Sequence, residues 1–194
     1  MNKIKLVALL VAILGTLLFF KTHFDSSETW ENLNKKGLSA YHESRYVEAE
    51  KHFLKAVKLA EISSKEGHRL YFSLNQLAEV YRIQSKFTEA EQVLKQLLES
   101  YKKYFGPKHI NVALTLNNLA VNYRARGKFE ESENLLKQAL EILEESFDSN
   151  HPLVGNILEH YAHLLHEMGR HSEAERLESR FQKISSETNK FEGR

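Results

Sequence analysis

Apolar residues recur at helical spacing along most of the chain from Glu28 onward, and short polar turns separate the apolar stretches. Apolar side chains at every third and fourth position predict amphipathic α-helices. The short polar side chains from Asp25 to Glu28 predict the start of the first helix, because such side chains satisfy exposed backbone N–H groups. The pattern predicts eight helices, over residues 28–43, 46–65, 68–84, 87–104, 110–126, 129–146, 151–168 and 172–184.

The helices follow one another as four similar pairs. The turn and second helix of each pair read SRYVEAEKHFLKAV, SKFTEAEQVLKQLL, GKFEESENLLKQAL and GRHSEAERLESRF. A small residue of the second helix recurs at spacings of 41, 42 and 42 residues, as Ala49, Ala90, Ser132 and Ala174. Twelve residues earlier lies a small residue of the first helix: Gly37, Ala78, Ala120 and Ala162. Small side chains at both places let paired helices approach closely, so the period predicts an all-α repeat array.

These segments resemble tetratricopeptide repeats, and the 42-residue period resembles the long-helix variety of kinesin light chains. The stretches from Gly106 to Leu143 and from Phe147 to Val154 carry the resemblance most clearly. It covers roughly Trp30 to Ile184. The resemblance implies a right-handed superhelical solenoid of about four helix-turn-helix repeats, whose concave wall binds an extended peptide or a helix of a partner protein.

We place the repeat domain at residues 30–184, after a short linker and helix cap at 25–29. The repeats are expected over residues 30–67, 71–110, 113–151 and 155–184. Glu178 stands where an apolar residue usually packs, so we expect the last helix to dock most weakly. Residues 185–194 are expected to form a frayed tail.

The first residues, 1–24, differ from the repeats. Leu6 to Phe20 is an uncharged run of fifteen residues between lysines. As a helix it spans roughly 22 Å, which is shorter than a hydrocarbon core of about 30 Å. The flanking lysines can make up part of the difference by extending their charged ends to the membrane surface. Two interpretations are open, an uncleaved signal-anchor and a cleaved signal peptide, and the poor cleavage site after Phe20 favours the anchor.

Positive charge before the run and Asp25 and Glu28 after it set the expected orientation. The positive-inside rule predicts a single-pass membrane protein with its N-terminus in the cytoplasm and the repeats outside. If the run is cleaved, the protein is secreted or periplasmic.

The first helix of each pair is expected to line the concave wall, because the resemblance places it there. Helical spacing from the packed Leu, Ala and Tyr positions selects the residues of its opposite face. The predicted peptide-binding groove residues are Asn75, Gln76, Glu79, Arg82, Asn117, Asn118, Val121, Arg124, Glu159 and His163. The corresponding face also carries Asn34, Lys35 and Leu38 in the first repeat, Phe72, Leu114 and Asn156 in the others, and the histidines 160 and 166.

Asparagine suits a peptide-binding wall, because its amide offers a donor and an acceptor to a peptide backbone. The resemblance implies that Asn75, Asn117 and Asn118 match peptide-contacting asparagines of the kinesin light chain type. Arg82 and Arg124 lie one repeat apart and suit an acidic partner residue. The alternative is that all these side chains merely keep a surface solvated.

His160, His163 and His166 recur at every third position of one helix. Neighbours at this spacing share a helix face, but three of them drift around the helix and cannot converge on one ion. We therefore predict no metal ligand here. A pH-sensitive groove wall and plain surface histidines are the two other interpretations.

Composition narrows the function further. The 27 basic and 26 acidic residues nearly cancel, which argues against a nucleic-acid partner. No cysteine, Gly-rich phosphate loop or GxSxG motif is present, so we predict no catalytic residue, cofactor or small-molecule substrate. The sequence favours a non-enzymatic protein-interaction scaffold, tethered to a membrane, in assembly or tethering of an envelope complex. The alternatives are a secreted soluble adaptor or chaperone and a His-rich metal-binding protein.

Overall fold

The computed structural model describes residues 28–62, 67–148 and 150–192. In this part of the chain all regular structure is helical and no strand occurs, which confirms the all-α repeat fold. Eight helices are present in the described residues: α1 (Trp30–His42), α2 (Tyr46–Ile62), α3 (Gly67–Ile83), α4 (Phe87–Phe105), α5 (Ile110–Ala125), α6 (Phe129–Ser146), α7 (Pro152–Glu167) and α8 (His171–Glu192).

The chain divides into two compact units, of which the first ends at Ser73 and the second begins at Leu74. In the first unit α1 and α2 pack together at Gly37, where a Cβ atom would lie 2.6 Å from Cε1 of Phe53. Phe53 is fully buried. Only a glycine at position 37 therefore allows this ring to lie against α1.

The indole of Trp30 belongs to a small hydrogen-bonded group within the first unit. Its Nε1–H donates to Oγ of Ser73 at 2.9 Å, and the Ser73 hydroxyl donates to Oδ1 of Asn34 at 3.2 Å. Nδ2 of Asn34 donates to the carbonyl of Trp30 at 2.8 Å. The guanidinium of Arg69 lies 5.2 Å from the indole ring centre, and Phe72 meets the ring edge-on.

In the second unit the small residues selected by the period all lie in the core: Ala78, Ala90, Ala120, Ser132, Ala162 and Ala174. Within the second unit's α5–α6 pair, the Ser132 hydroxyl donates to the carbonyl of Ala120 at 2.8 Å. The two small residues of this pair are thus in direct contact. The predicted close approach of paired helices is confirmed here.

The turns inside the four pairs share one backbone conformation. A residue with positive φ recurs at Ser44 (59°), Ser85 (58°), Gly127 (70°) and Gly169 (76°). The N–H of the next residue donates to a carbonyl five positions earlier, as from Lys86 to Tyr81 at 2.8 Å. This bond satisfies one of the carbonyls that the end of a helix leaves without an intrahelical partner.

Histidines begin two of the helices. Nδ1 of His109 accepts from the backbone N–H of Asn111, and Nδ1 of His151 accepts from that of Leu153, both at 3.2 Å. Phe105 and Phe147 stack on these imidazoles at ring-centre distances of 4.7 and 4.2 Å. The stacked ring orients each imidazole as a helix cap.

A buried carboxylate joins consecutive pairs in the second unit. Glu133 of α6 accepts from the hydroxyl of Tyr161 at 2.7 Å, from Arg170 at 2.7 Å and from Lys137 at 2.8 Å. Burial raises the pKa of the Glu133 carboxyl, but these three donors outweigh burial and lower it to about 2. Burial and the same hydrogen bond raise the pKa of Tyr161. Because α6 and α7 belong to different pairs, this cluster fixes one pair on the next.

Glu91 of α4 makes an equivalent cluster one repeat earlier. It accepts from Lys95 at 2.6 Å and from the Tyr123 hydroxyl at 2.9 Å, and it is paired with Arg126. Burial opposes ionisation, but the bonds from Lys95 and Tyr123 lower the pKa of Glu91. The same connection between pairs is therefore used twice.

The first and the last helix have bounds that differ from the predicted helix bounds. The first helix begins at Trp30 with Thr29 as its cap, because Oγ1 of Thr29 accepts from the N–H of Asn32 at 3.2 Å. The last helix was predicted to end at residue 184, and it continues to Glu192. Ile184, which is 2% exposed, anchors it beside Gly155, and no glycine or proline interrupts the chain before Gly193.

The predicted anchor at residues 1–24 lies outside the described residues. Among the helices that the structure describes, none combines the length and apolar character needed to cross a membrane. The anchor therefore stays a prediction.

Candidate functional site

The second unit contains two adjoining concavities lined by α3, α5 and α7, with volumes of about 600 and 240 Å³. Asn75, Glu79, Asn118 and His160 line both of them. We call this surface the amide groove, since side-chain amides dominate its walls. The amide groove carries the amides of Asn75, Gln76, Asn111, Asn117, Asn118, Asn122 and Asn156.

All but two of the predicted groove residues line one of these concavities. Asn75, Gln76, Glu79, Asn117, Asn118 and Glu159 line the larger one, and Arg82 and Val121 line the smaller one. Arg124 and His163 line neither concavity. The residues selected by helical spacing thus lie together, although they come from three helices. Their role in binding stays a prediction.

Several groove residues were not predicted. Asn111 and Thr115 of α5 line the larger concavity, as does Tyr101 of α4, and Asn122 lines the smaller one. Asn111 lies seven residues before Asn118, on the same helix face, so helical spacing alone was a sufficient signal for it. Tyr101 comes from the second helix of its pair, and the sequence carried no signal for it.

Neighbouring amides on α5 have different surroundings. Asn117 is 6% exposed, and its Oδ1 lies 2.8 Å from Nδ1 of His160 on α7. Asn118 is exposed at the groove wall. Asn117 therefore forms part of the floor, and Asn118 presents its donor and acceptor to a ligand.

Asn122 lies deeper, with no exposed surface. Its Nδ2 donates to the carbonyl of Phe87 at 3.0 Å, while its buried Oδ1 has no hydrogen-bond partner in the part of the chain that the structure describes. An unpartnered buried acceptor is costly, and Asn122 carries this cost beside the smaller concavity.

His160 is a titratable group that lines both concavities. Burial lowers the pKa of its imidazole; Glu159 opposes this effect, and Arg124, His163 and Arg82 add to it. The ring is therefore neutral near pH 7. Because Oδ1 of Asn117 can only accept, Nδ1 of the neutral ring carries the proton, and Nε2 is left as an acceptor.

The arginines predicted to bind an acidic partner are already engaged in ion pairs. Arg82 pairs with Glu79 at 2.5 Å, and Arg124 pairs with Glu167 at 3.2 Å. Both pairs are partly exposed to solvent, so each contributes only about 1 kcal/mol or less. A partner carboxylate can therefore compete for either guanidinium at small cost.

The prediction that Asn34 faces the groove was wrong. Asn34 is 4% exposed, and both ends of its amide bond to Trp30 and Ser73 within the first unit. The bulky Trp30 one turn earlier covers this position. Asn34 is a structural amide.

The three histidines of α7 have separate surroundings. His160 contacts Asn117, and His163 is exposed. His166 contacts Nδ1 of His171 at 3.1 Å and Glu178 at 2.8 Å. No group of three side chains suited to a metal ion occurs among residues 28–62, 67–148 and 150–192. Glu178 is the partner of His166, and the weak docking expected from Glu178 stays a prediction.

Comparison with solved structures finds the same fold. A putative kinesin light chain from Podosopora anserina with nearly identical TPR-like repeats is 21% identical, with a TM-score of 0.71 over 93% of this chain and 87% of that one. BtubC from P. vanneervenii is 22% identical, with a TM-score of 0.68 over 79% of this chain and 61% of that one. The apo form of RapI is 16% identical, with a TM-score of 0.70 over 84% of this chain and 44% of that one.

These identities establish the fold alone, and the chain matches less than two thirds of BtubC. No curated protein sequence matches this one. The family model for the tetratricopeptide repeat matches residues 28–102, 69–145 and 115–181, which together cover most of the chain. The chain therefore belongs to the tetratricopeptide repeat family, whose members generally mediate protein–protein interactions and are typically not enzymes.

Proposed function

We propose that the protein is a non-enzymatic scaffold that binds a peptide or helical segment of a partner protein in the amide groove. The observation that carries the proposal is the concentration of side-chain amides from α3, α5 and α7 around one open concavity of about 600 Å³. Each amide offers a donor and an acceptor, which together match the alternating N–H and C=O groups of a peptide backbone. Such a wall recognises an extended chain without requiring particular side chains.

The groove is also suited to a polar ligand. Its wall carries the exposed amides of Asn118 and Asn156. A wholly apolar helix would remove water from these amides without replacing its hydrogen bonds, at a cost of about 1–3 kcal/mol for each. We therefore expect a partner segment that is rich in hydrogen-bonding groups.

A double substitution tests the groove. Asn75→Ala with Asn118→Ala removes two amides that line both concavities. We expect binding of the partner to weaken by roughly thirtyfold, since each lost hydrogen bond contributes about 1 kcal/mol. The exposed residues Asn134 and Arg176, on α6 and α8, provide a control double variant.

The partner for this measurement comes from photo-crosslinking in cells, with the reactive residue at position 118 and, as a control, at position 134. A synthetic peptide of the captured segment is then titrated against the full-length chain and both variants. Equal affinity of the groove variant and the wild type, with unchanged helical circular dichroism, would rule out the groove.

We further propose that residues 1–24 tether the repeats to a membrane, with the repeats outside the cytoplasm. The support is the uncharged run from Leu6 to Phe20 and its flanking lysines. A tether raises the concentration of the groove near membrane-bound partners, which suits assembly or tethering of an envelope complex. The intact mass of the native protein tests this: loss of about twenty residues means a secreted adaptor, and full length in a carbonate-resistant pellet means an anchor.

A further inference from the structure

His160 is an ionisable side chain of the amide groove that is hydrogen-bonded to a different helix. His160 lies between the two concavities, and its Nδ1 is committed to the buried Oδ1 of Asn117 at 2.8 Å. A change in the protonation of the ring can therefore take place only at Nε2. The neutral ring accepts a hydrogen bond at Nε2, and the protonated ring donates one.

The neutral groove is short of donors at this point. Nε2 of the neutral His160 ring is an acceptor at a wall that both concavities share. A backbone N–H of a bound segment satisfies this acceptor, whereas a carboxylate is repelled by it. The neutral state thus favours a ligand that donates.

Protonation reverses this preference. The charged groups facing His160 are Glu79 and Arg82 of α3, Arg124 of α5, and Glu159 and His163 of α7. Glu79 is already paired with Arg82, and Arg124 is paired with Glu167. Glu159 offsets part of the new positive charge, and the protonated Nε2–H is a donor that forms a charge-assisted hydrogen bond with a carboxylate of the ligand.

We propose that His160 selects the ligand of the amide groove, accepting a backbone N–H when neutral and binding a carboxylate when protonated. This inference rests on the proposed function. It deepens that function by assigning the groove an acidic peptide segment as its ligand at mildly acidic pH.

Two pools of blocked ten-residue peptides test the selection. Both contain random Gly, Ala, Ser and Asn, with a fixed central Asp in one pool and a fixed central Asn in the other. Retention on the immobilised full-length chain is compared at about pH 5 and about pH 7.5, where the Asp side chain is ionised in both cases. We expect the retention ratio of the Asp pool to the Asn pool to rise by about tenfold at the lower pH.

His160→Asn keeps a donor toward Asn117 but cannot be protonated, so its retention ratio should not change with pH. His163→Asn, on the exposed side of the same helix, should keep the full response. A response that survives in His160→Asn, or one that disappears only in His163→Asn, would overturn the proposal. Retention of both pools without any pH effect overturns it too, and leaves the groove function intact. If neither pool is retained by wild type at either pH, the groove function itself fails.

The tautomer of His160 provides a test on the wild-type chain that needs no variant. Nitrogen NMR of the free protein above the pKa of the ring should show the proton on Nδ1. A proton on Nε2 would remove the acceptor on which the selection depends and overturn the proposal.

Discussion

Helices α5 and α7 each have a packing face and a groove face, and the two faces differ in how they change along the chain. On the packing face Leu116 and Ala120 correspond to Leu158 and Ala162, and all four are buried. On the groove face Asn117 and Asn118 correspond to Glu159 and His160. The packing face is constant because each helix meets the same kind of neighbour. The groove face changes because, apart from the bond between Asn117 and His160, its side chains are not needed to pack one helix on the next.

The comparison separates two kinds of substitution. Changes on the packing side should alter the free energy of unfolding, and changes on the groove side should alter binding alone. The expected effect on the free energy of unfolding decreases from the contacts between helix pairs to the groove.

The largest effect is expected at the carboxylate between pairs. Glu133→Gln removes the charge that accepts from Tyr161, Arg170 and Lys137. With a folded-state pKa of about 2 against a usual 4.5, the charge contributes about 3 kcal/mol at pH 7. Urea unfolding at neutral pH should show this loss, and Glu141→Gln on the exposed side of α6 should show almost none.

The pH dependence has a definite sign. Because the folded state holds the proton more weakly, the contribution of Glu133 is complete above pH 4.5 and is lost as the pH falls toward 2. The difference between wild type and Glu133→Gln should therefore shrink through this range. A constant difference would show that the cluster acts by shape rather than by charge.

Gly37→Ala should have the next largest effect. The added Cβ would lie 2.6 Å from the fully buried ring of Phe53, and the strain of forcing it in outweighs the helix preference of alanine, giving a loss of about 2 kcal/mol. Gly155→Ala is the matched control, because its new Cβ would meet Ile184 and Phe181 at an ordinary 3.4 Å. The midpoint of thermal unfolding should be lower for Gly37→Ala than for Gly155→Ala. Equal midpoints would contradict the close approach of Gly37 and Phe53.

Ser85→Gly should stabilise the protein slightly. The backbone of Ser85 has a φ of 58°, which glycine adopts without strain, so we expect a gain of about 0.5–1 kcal/mol after the greater freedom of the unfolded chain is counted. Gly127→Ser, at the equivalent turn with nothing within 4 Å of a new Cβ, should lose a similar amount. The same sign for both substitutions would disprove the argument from φ.

The smallest effect on stability is expected in the groove. Asn118→Ala should leave the free energy of unfolding unchanged within about 0.5 kcal/mol, since its exposed amide makes no packing contact that the fold needs. Equilibrium urea unfolding checks this. A loss comparable to that of Gly37→Ala would mean that the two faces of α5 are not separate.

Periodicity was sufficient to predict what depends on one helix and its repeat. The small residues at 90, 132 and 174 were found by spacing, because every pair needs the same close contact. Asn111 could have been predicted in the same way, because it lies seven residues before Asn118 on the same helix face. The last helix ended later than predicted because helix-breaking residues, rather than the repeat pattern, set its limit.

What the sequence did not predict are contacts between side chains on different pairs. His160 meets Asn117, and Glu133 meets Tyr161 and Arg170, over separations of 28 to 43 residues. The period places these positions near one another, but the direction of each side chain depends on how one pair is rotated on the next. Asn34 was misassigned for the same kind of reason, since Ser73 lies far from it in sequence.

The chain contains a single tryptophan, and the surroundings of Trp30 determine what its fluorescence reports. Its indole contacts Ser73, Phe72 and Arg69, all within the first unit. Tryptophan emission therefore follows the unfolding of that unit alone, while far-ultraviolet circular dichroism averages over the helices of both. Coincidence of the two signals during unfolding distinguishes one cooperative transition from two, without any added label.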